Sequence, residues 1–199
     1  MSESIQKDSI QVILPELAKQ TIQLGCDGLS EQQIQQQLQQ QLQNSSFPEE
    51  PKHHQATFVS LHQKGKLRGC IGSLEAWRPL SDDVIGNAYA AAFRDHRFAP
   101  VTAHELESLD LEVSLLSPAT ALTIASEQDL LSQLQPGVDG LIIDDGKGHR
   151  ATFLPQVWEQ LPQPENFLLR LKRKAGLKGD SWPDGMQCFR YHCTIFRHP

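Results

Sequence analysis

Residues 109–117 read LDLEVSLLS, an alternation that leaves little choice of structure. Leu109, Leu111, Val113 and Leu115 fall on one side, and Asp110, Glu112 and Ser114 on the other. A period of two predicts a β-strand with one face in an apolar core and one face polar. Such a strand belongs to a sheet that is covered on one side, which is the habit of antiparallel sheets. Two further stretches agree. ATFVSLHQKGKLRGCIGSL reads as two strands joined by a turn at Lys64-Gly65, and LIIDDGKGHRATFL as a hairpin around Asp145-Gly146. The tail, MQCFRYHCTIF, is also β-rich.

Short helical segments fill the intervals. Residues 10–24 have apolar side chains at helical spacing, interrupted by Pro15 and broken by Gly25 and Gly28. Ser30 and Gln33 form a capping box for EQQIQQQLQQQLQ, whose Ile34, Leu38 and Leu42 make a narrow stripe on a Gln-coated helix. A surface helix docked by that stripe is expected; a Gln-rich aggregation segment is the alternative. NSSFPEEPKHHQ reads as a loop. Ser81 is an N-cap candidate, with Asp82 and Asp83 in the first turn of an Ala-rich helix suited to close packing on a sheet. Thr102 and Glu105 form a second capping box. Ser126 caps a helix over EQDLLSQL, Pro155 opens one over PQVWEQL, and Pro164 opens one running to Ala175 and stopped by Gly176. The fold class is α+β with a largely antiparallel sheet. Strands are not interleaved regularly with long helices, which argues against a doubly wound nucleotide fold.

At 199 residues, the chain fits one domain or two small lobes and can bury a core without disulfides or metals. A net charge of −6 and a pI near 5.7 argue against a general nucleic-acid binder. A basic stretch, Arg170, Lys172, Arg173, Lys174 and Lys178, sits at a helix end that favours cations. A mean hydropathy of −0.40 and the lack of a long apolar run argue against a membrane partner. The first twenty residues lack a secretory pattern, so a cytoplasmic location is expected, with Cys26, Cys70, Cys188 and Cys193 as thiols.

The densest chemical signal is Leu67-Arg68-Gly69-Cys70-Ile71-Gly72. On a regular strand Arg68, Cys70 and Gly72 share a face, and a guanidinium beside a thiol favours the thiolate. The glycines permit a close approach by a ligand or by another segment of the chain. Arg94-Asp95-His96-Arg97-Phe98 is either an anion-binding loop or a cation-rich helix end in which Asp95 pairs an arginine. Glu112, on the polar face of its strand, is solvated, paired or a general base. His62 lies near the first hairpin turn, and the hairpin register decides whether it shares a face with Cys70. There is no C-x-x-C, H-E-x-x-H, Walker loop, G-x-G-x-x-G or G-x-S-x-G, so neither a metal nor a cofactor is expected.

LRGCIGSLEAWRPL, NAYAAAFRDHRFAPV, LEVSLLSP, PGVDGLII and ATFLPQVWEQL, in this order and spacing, resemble the AMMECR domain, whose bacterial branch is called AmmeMemoRadiSam system protein A. The resemblance is strong over residues 56–197 and looser over the helical residues 1–46, and it treats residues 1–199 as a single domain. His96 stands where the family usually has proline. The resemblance implies two intertwined lobes around a mostly antiparallel, barrel-like sheet with flanking helices. It implies association with a Memo-like protein and a radical SAM protein, and no settled activity. Carried over by motif, Arg68, Gly69, Cys70, Gly72, Asp95, Arg97 and Glu112 are expected to line a shared cleft.

Two readings are open. In the first, Cys70 is a thiolate nucleophile or carrier, held by Arg68, with Glu112 as proton acceptor and Gly69, Gly72, Asp95 and Arg97 orienting a small anionic ligand. In the second, the domain is a non-catalytic binding or adaptor module and Cys70 is packing.

Overall fold

The computed structural model describes residues 2–44 and 53–198. Most of the loop expected over NSSFPEEPKHHQ lies outside these residues. The described chain forms five α-helices and eight strands: α1 (Ser2–Cys26), α2 (Glu31–Asn44), β1 (Thr57–Gln63), β2 (Lys66–Gly72), α3 (Leu80–Phe93), β3 (Leu109–Leu116), β4 (Thr120–Ala121), α4 (Glu127–Gln133), β5 (Gly140–Asp144), β6 (Arg150–Phe153), α5 (Pro164–Lys174), β7 (Gln187–Tyr191) and β8 (Cys193–Arg197). PQVWEQL forms a 3-10 helix, Pro155–Glu159. The elements gather in two compact units, residues 1–116 with 194–199, and residues 117–193. The chain therefore leaves the first unit after residue 116 and returns to it at residue 194. Each unit has its own four-stranded sheet, ordered β2-β1-β3-β8 and β4-β7-β5-β6. Neither closes into a barrel, so the α+β expectation stands and its barrel-like sheet is replaced by two open ones. No helix among the described residues is long and apolar enough to cross a membrane.

In the first unit Val59, Leu61, Leu111 and Val113 project to one face of the sheet and join Leu14, Ile22, Ile34, Leu38, Leu80 and Ile85 from the helices in one core. The Gln-rich helix is docked by its stripe: Ile34 and Leu38 are buried and Leu42 half-buried. Its capping box is reciprocal, with Ser30 N–H donating to Gln33 Oε1 (2.9 Å) and Gln33 N–H to Ser30 Oγ (3.4 Å). The helix α1 continues through Pro15. Proline removes the bond to the carbonyl of residue 11. Gln11 is exposed, so water can take that carbonyl, while Leu14 and Pro15 are buried. Tertiary packing thus outweighs the local penalty.

The helix α3 starts at Leu80, behind Pro79, so Ser81 lies inside the first turn and does not cap it. Its acidic first turn does more than meet the helix dipole. Asp83, 1% exposed, accepts five hydrogen bonds. Thr57 N–H, Thr57 Oγ1 and Asn87 Nδ2 donate to Oδ2, and Ser73 Oγ and Arg78 Nε donate to Oδ1, all at 2.6–2.9 Å. A buried carboxylate is tolerable only when its lone pairs are filled in this way.

In the second unit Trp158 stacks on Phe167 at 3.7 Å between centroids, and Tyr191 covers Gly140, where a Cβ would come within 2.5 Å of its ring. Ser126 caps α4 by accepting from Asp129 N–H (3.1 Å). Gly176, at φ +83°, ends α5 as expected. The basic stretch beside it is not one surface patch. Lys172 is 1% exposed and donates to both oxygens of Glu127 at 2.8 Å, and Lys174 Nζ donates to the Thr152 carbonyl (3.0 Å).

Candidate functional site

The β1–β2 hairpin turns at Lys64 and Gly65, both with positive φ (52° and 73°), as a two-residue type I′ turn requires. Counted back from Gln63↔Lys66 and His62↔Leu67, an unbroken ladder would pair Leu61 with Arg68 and Val59 with Cys70. The ladder is not unbroken. Its register shifts after Leu61, which pairs with Gly69, so Ser60 pairs with Cys70. Arg68 is the extra residue of a β-bulge. A one-residue slip moves every later side chain to the opposite face. The bulge therefore takes Cys70 off the apolar face of Val59 and places it on the polar one. Ser60 pairs on its other side with Glu112 of β3. Cys70, Ser60 and Glu112 thus stand in one row across three strands.

Cys70 is half-buried and accepts a hydrogen bond on Sγ from Ser60 Oγ at 3.3 Å. Its main chain faces outward, since β2 is an edge strand of its sheet. Cys70 N–H donates to Asp95 Oδ2 (2.9 Å), and Arg97 Nη2 donates to the Cys70 carbonyl (3.1 Å). Arg97 also grips Asp95 with two nitrogens, Nε to Oδ1 at 2.9 Å and Nη2 to Oδ2 at 2.6 Å. An ion pair thus stands where a neighbouring strand would, and satisfies both polar atoms of one edge residue. The Arg97 hydrogen bonds hold the Asp95 carboxyl down at about 2; burial opposes them, and the Cys70 N–H adds to the lowering. Arg97 is held above its ordinary value chiefly by Asp95, against burial, with Cys70 contributing in the same direction. Arg97 is thus in electrostatic reach of the thiol.

Arg68 is occupied elsewhere, which corrects the expectation that it holds the Cys70 thiolate. It donates to Glu105 through Nε (2.8 Å) and Nη2 (3.2 Å), and to the Pro100 carbonyl (3.4 Å). Its Nη1 is buried with no hydrogen-bond partner. Glu105 lies at about 2, lowered first by Arg68 against its burial and further by Thr102. Only half of the expected Thr102–Glu105 capping box forms: Thr102 N–H (2.9 Å) and its hydroxyl (3.0 Å) both donate to Glu105 Oε2, while Glu105 N–H goes to the Thr102 carbonyl, and the 3-10 turn that follows has no side-chain cap.

The glycines serve the chain itself. A Cβ on Gly69 would lie 2.3 Å from the Ala91 carbonyl of α3, and one on Gly72 would lie 2.2 Å from the Phe58 ring across the hairpin. Glu112 is flanked by His62, with Nδ1 3.7 Å from Oε1, and by Arg197, with Nη2 3.2 Å from Oε2. The Arg197 contact is an ion pair without hydrogen-bond alignment, and Oε2 has no hydrogen-bond partner. His62 follows Ser60 by two and shares its face. Among the described residues no group of three or more His, Cys, Asp and Glu side chains converges as a metal site requires. His96 is exposed.

Sequence reasoning missed Ser60, because no local signal reveals the bulge that brings it beside Cys70. It placed Asp83 only in a helix's first turn and missed its network, which draws on Thr57 and Ser73 from other elements.

The AMMECR1 family model matches residues 15–196. A protein of Methanothermobacter thermautotrophicus is 40% identical over 155 residues, covering 75% of this chain and 78% of the relative. Protein MJ0810 of Methanocaldococcus jannaschii is 36% identical over 159 residues, covering 76% and 77%. The crystal structure of the uncharacterised protein PH0010 from Pyrococcus horikoshii matches with a TM-score of 0.79 at 28% identity, over 92% of this chain and 89% of that one.

Proposed function

Because this chain belongs to the AMMECR1 family, we propose that it serves in a modification system together with a Memo-like protein and a radical SAM protein, with Cys70 as its working thiol. The observation that carries the reading is the clamp on Cys70. An ion pair whose carboxylate is buried fixes both main-chain polar atoms of this one residue, and Cys70 itself is half-buried on the polar face. Fixing a reacting atom in advance is how a protein lowers the entropic cost of attack. For an acyl electrophile, the sulfur–carbon bond forms, the bond from that carbon to its leaving group breaks, and the thiol proton departs with the leaving group. The guanidinium of Arg97, 56% exposed in its side chain, supplies positive charge for a small anionic ligand. Glu112 stands one strand beyond Ser60 with its two oxygens beside His62 and Arg197, so it is read as part of the polar row and not as the proton acceptor for the sulfur.

One observation favours the adaptor reading instead. Arg68, the second residue of the family hexapeptide, is spent on Glu105, as a purely architectural residue would be. Reconstitution separates the two. Mixed with the Memo-like and radical SAM proteins of its own organism, the wild-type chain is expected to gain a covalent adduct on Cys70, read by intact mass, and Cys70→Ser none. A complex that forms equally well with Cys70→Ser, with no adduct on the wild type, supports the adaptor. Neither complex nor adduct contradicts both.

A further inference from the structure

We infer that Ser60 is a positioning residue for the Cys70 sulfur, and that its hydroxyl sets how readily that sulfur carries negative charge. The inference rests on the reading of Cys70 as the working thiol. Three observations support it. First, the Ser60 hydroxyl points at Sγ at 3.3 Å, the length expected of an O–H donor to sulfur. Second, Cys70 turns its N–H away from β1 toward Asp95. Ser60 and Cys70 are therefore a non-hydrogen-bonded cross-strand pair, the type whose side chains lie closest. Third, the contact exists only through the bulge at Arg68, since an unbroken hairpin would set Val59 opposite Cys70. A strand buried on its other face would by default use an apolar or solvated residue at position 60. This chain instead places the hydroxyl of Ser60, a residue only 9% exposed, against the sulfur.

A hydroxyl donor binds a thiolate more strongly than a thiol, because hydrogen bonds to charged acceptors are roughly twice as strong. Removing it selectively weakens the anion. The effect belongs to the acid side of a pH profile, where the anion is scarce, and disappears once every molecule is ionised.

The test is iodoacetamide alkylation of Cys70 in the full chain, followed by peptide mass spectrometry from about pH 5.5 to about pH 9.5, a range that spans the ordinary thiol value. Ser60→Ala is smaller than serine and fits the same space, and Ser60→Thr keeps the hydroxyl. Ser60→Ala is expected to slow alkylation about tenfold at the acid end. Its rate should meet the wild-type rate at the alkaline end, and Ser60→Thr should restore the acid arm. A Ser60→Ala profile that superimposes on the wild type overturns the inference. So does a rate changed by one factor at every pH, which is the mark of altered access. A wild-type Cys70 that resists the reagent throughout overturns the working-thiol reading itself, and is distinct from either of those results.

Discussion

Asp95 accepts the N–H of Cys70 at 2.9 Å, joining the RDHRF loop to the edge of the first sheet at the residue that bears the candidate thiol. Asp95 is 6% exposed, and its ion-pair partner Arg97 closes the other half of the same peptide edge. Removing the carboxylate leaves a donor unmatched and a guanidinium without its partner. Asp95→Ala is expected to cost about 2–3 kcal/mol, and Asp95→Asn about half as much because an acceptor remains. Urea unfolding of the two variants checks the order, and equal losses would contradict a role for the Cys70 hydrogen bond.

Acid should weaken the same clamp. Asp95 and Glu105 both lie at about 2 in the folded chain, below the ordinary carboxylate range. A depressed folded value means stability that is complete above the unfolded value and is lost as pH falls through the folded one. The loss therefore falls between about pH 5 and about pH 2. It is on the order of 1–2 kcal/mol for Asp95, after discounting for the exposed side of Arg97. Urea midpoints measured down that range should fall, and fall less steeply in Asp95→Asn.

The contact between β2 and α3 predicts a steep cost at a single glycine. A methyl group on Gly69 meets a backbone carbonyl, which cannot swing aside. Gly69→Ala should destabilise by about 3 kcal/mol. Gly72→Ala meets only the Phe58 ring, so Phe58→Leu should relieve part of its penalty. A double-mutant cycle on unfolding free energies measures that relief, and strict additivity would contradict the pairing.

Asp83 should be the most costly acidic residue to replace in the first unit. Asp83→Ala takes the shared acceptor from five donors, of which only Asn87 Nδ2 keeps others, and is expected to lose about 3–5 kcal/mol. Thermal unfolding is the readout, and a loss under about 1 kcal/mol would show that the network reorganises around water.

Much of the fold was legible because it is written in local periods. The alternation of LDLEVSLLS gave β3, the Lys64-Gly65 pair gave its hairpin turn, and the Ser30–Gln33 box gave the start of α2. Leu115 and Ser114 depart from that alternation, since Ser114 is buried and Leu115 half-buried near the end of the strand. Pro15 was misleading, because local rules cannot weigh a proline against the burial of its neighbours. The barrel-like sheet came from the resemblance, and the chain builds two open sheets in its place.

The candidate site was legible in its residues and not in its wiring. Cys70, Asp95 and Arg97 come together, joined through the Cys70 main chain, which a side-chain motif does not report. Arg68 was assigned to Cys70 on the assumption of a regular strand, and it is the bulged residue that breaks the regularity. A bulge is decided by long-range partners, here Glu105 and the Pro100 carbonyl. The same slip hid Ser60.

Competitive alkylation of the native chain near neutral pH tests the working thiol most directly. Burial pushes the Cys188 and Cys193 thiols up to about 12, and Cys26 is also raised by burial. Cys70 is expected to take the reagent first, at least about tenfold faster than Cys188 and Cys193. Labelling of Cys70 only on unfolding, in step with Cys188, would contradict the account.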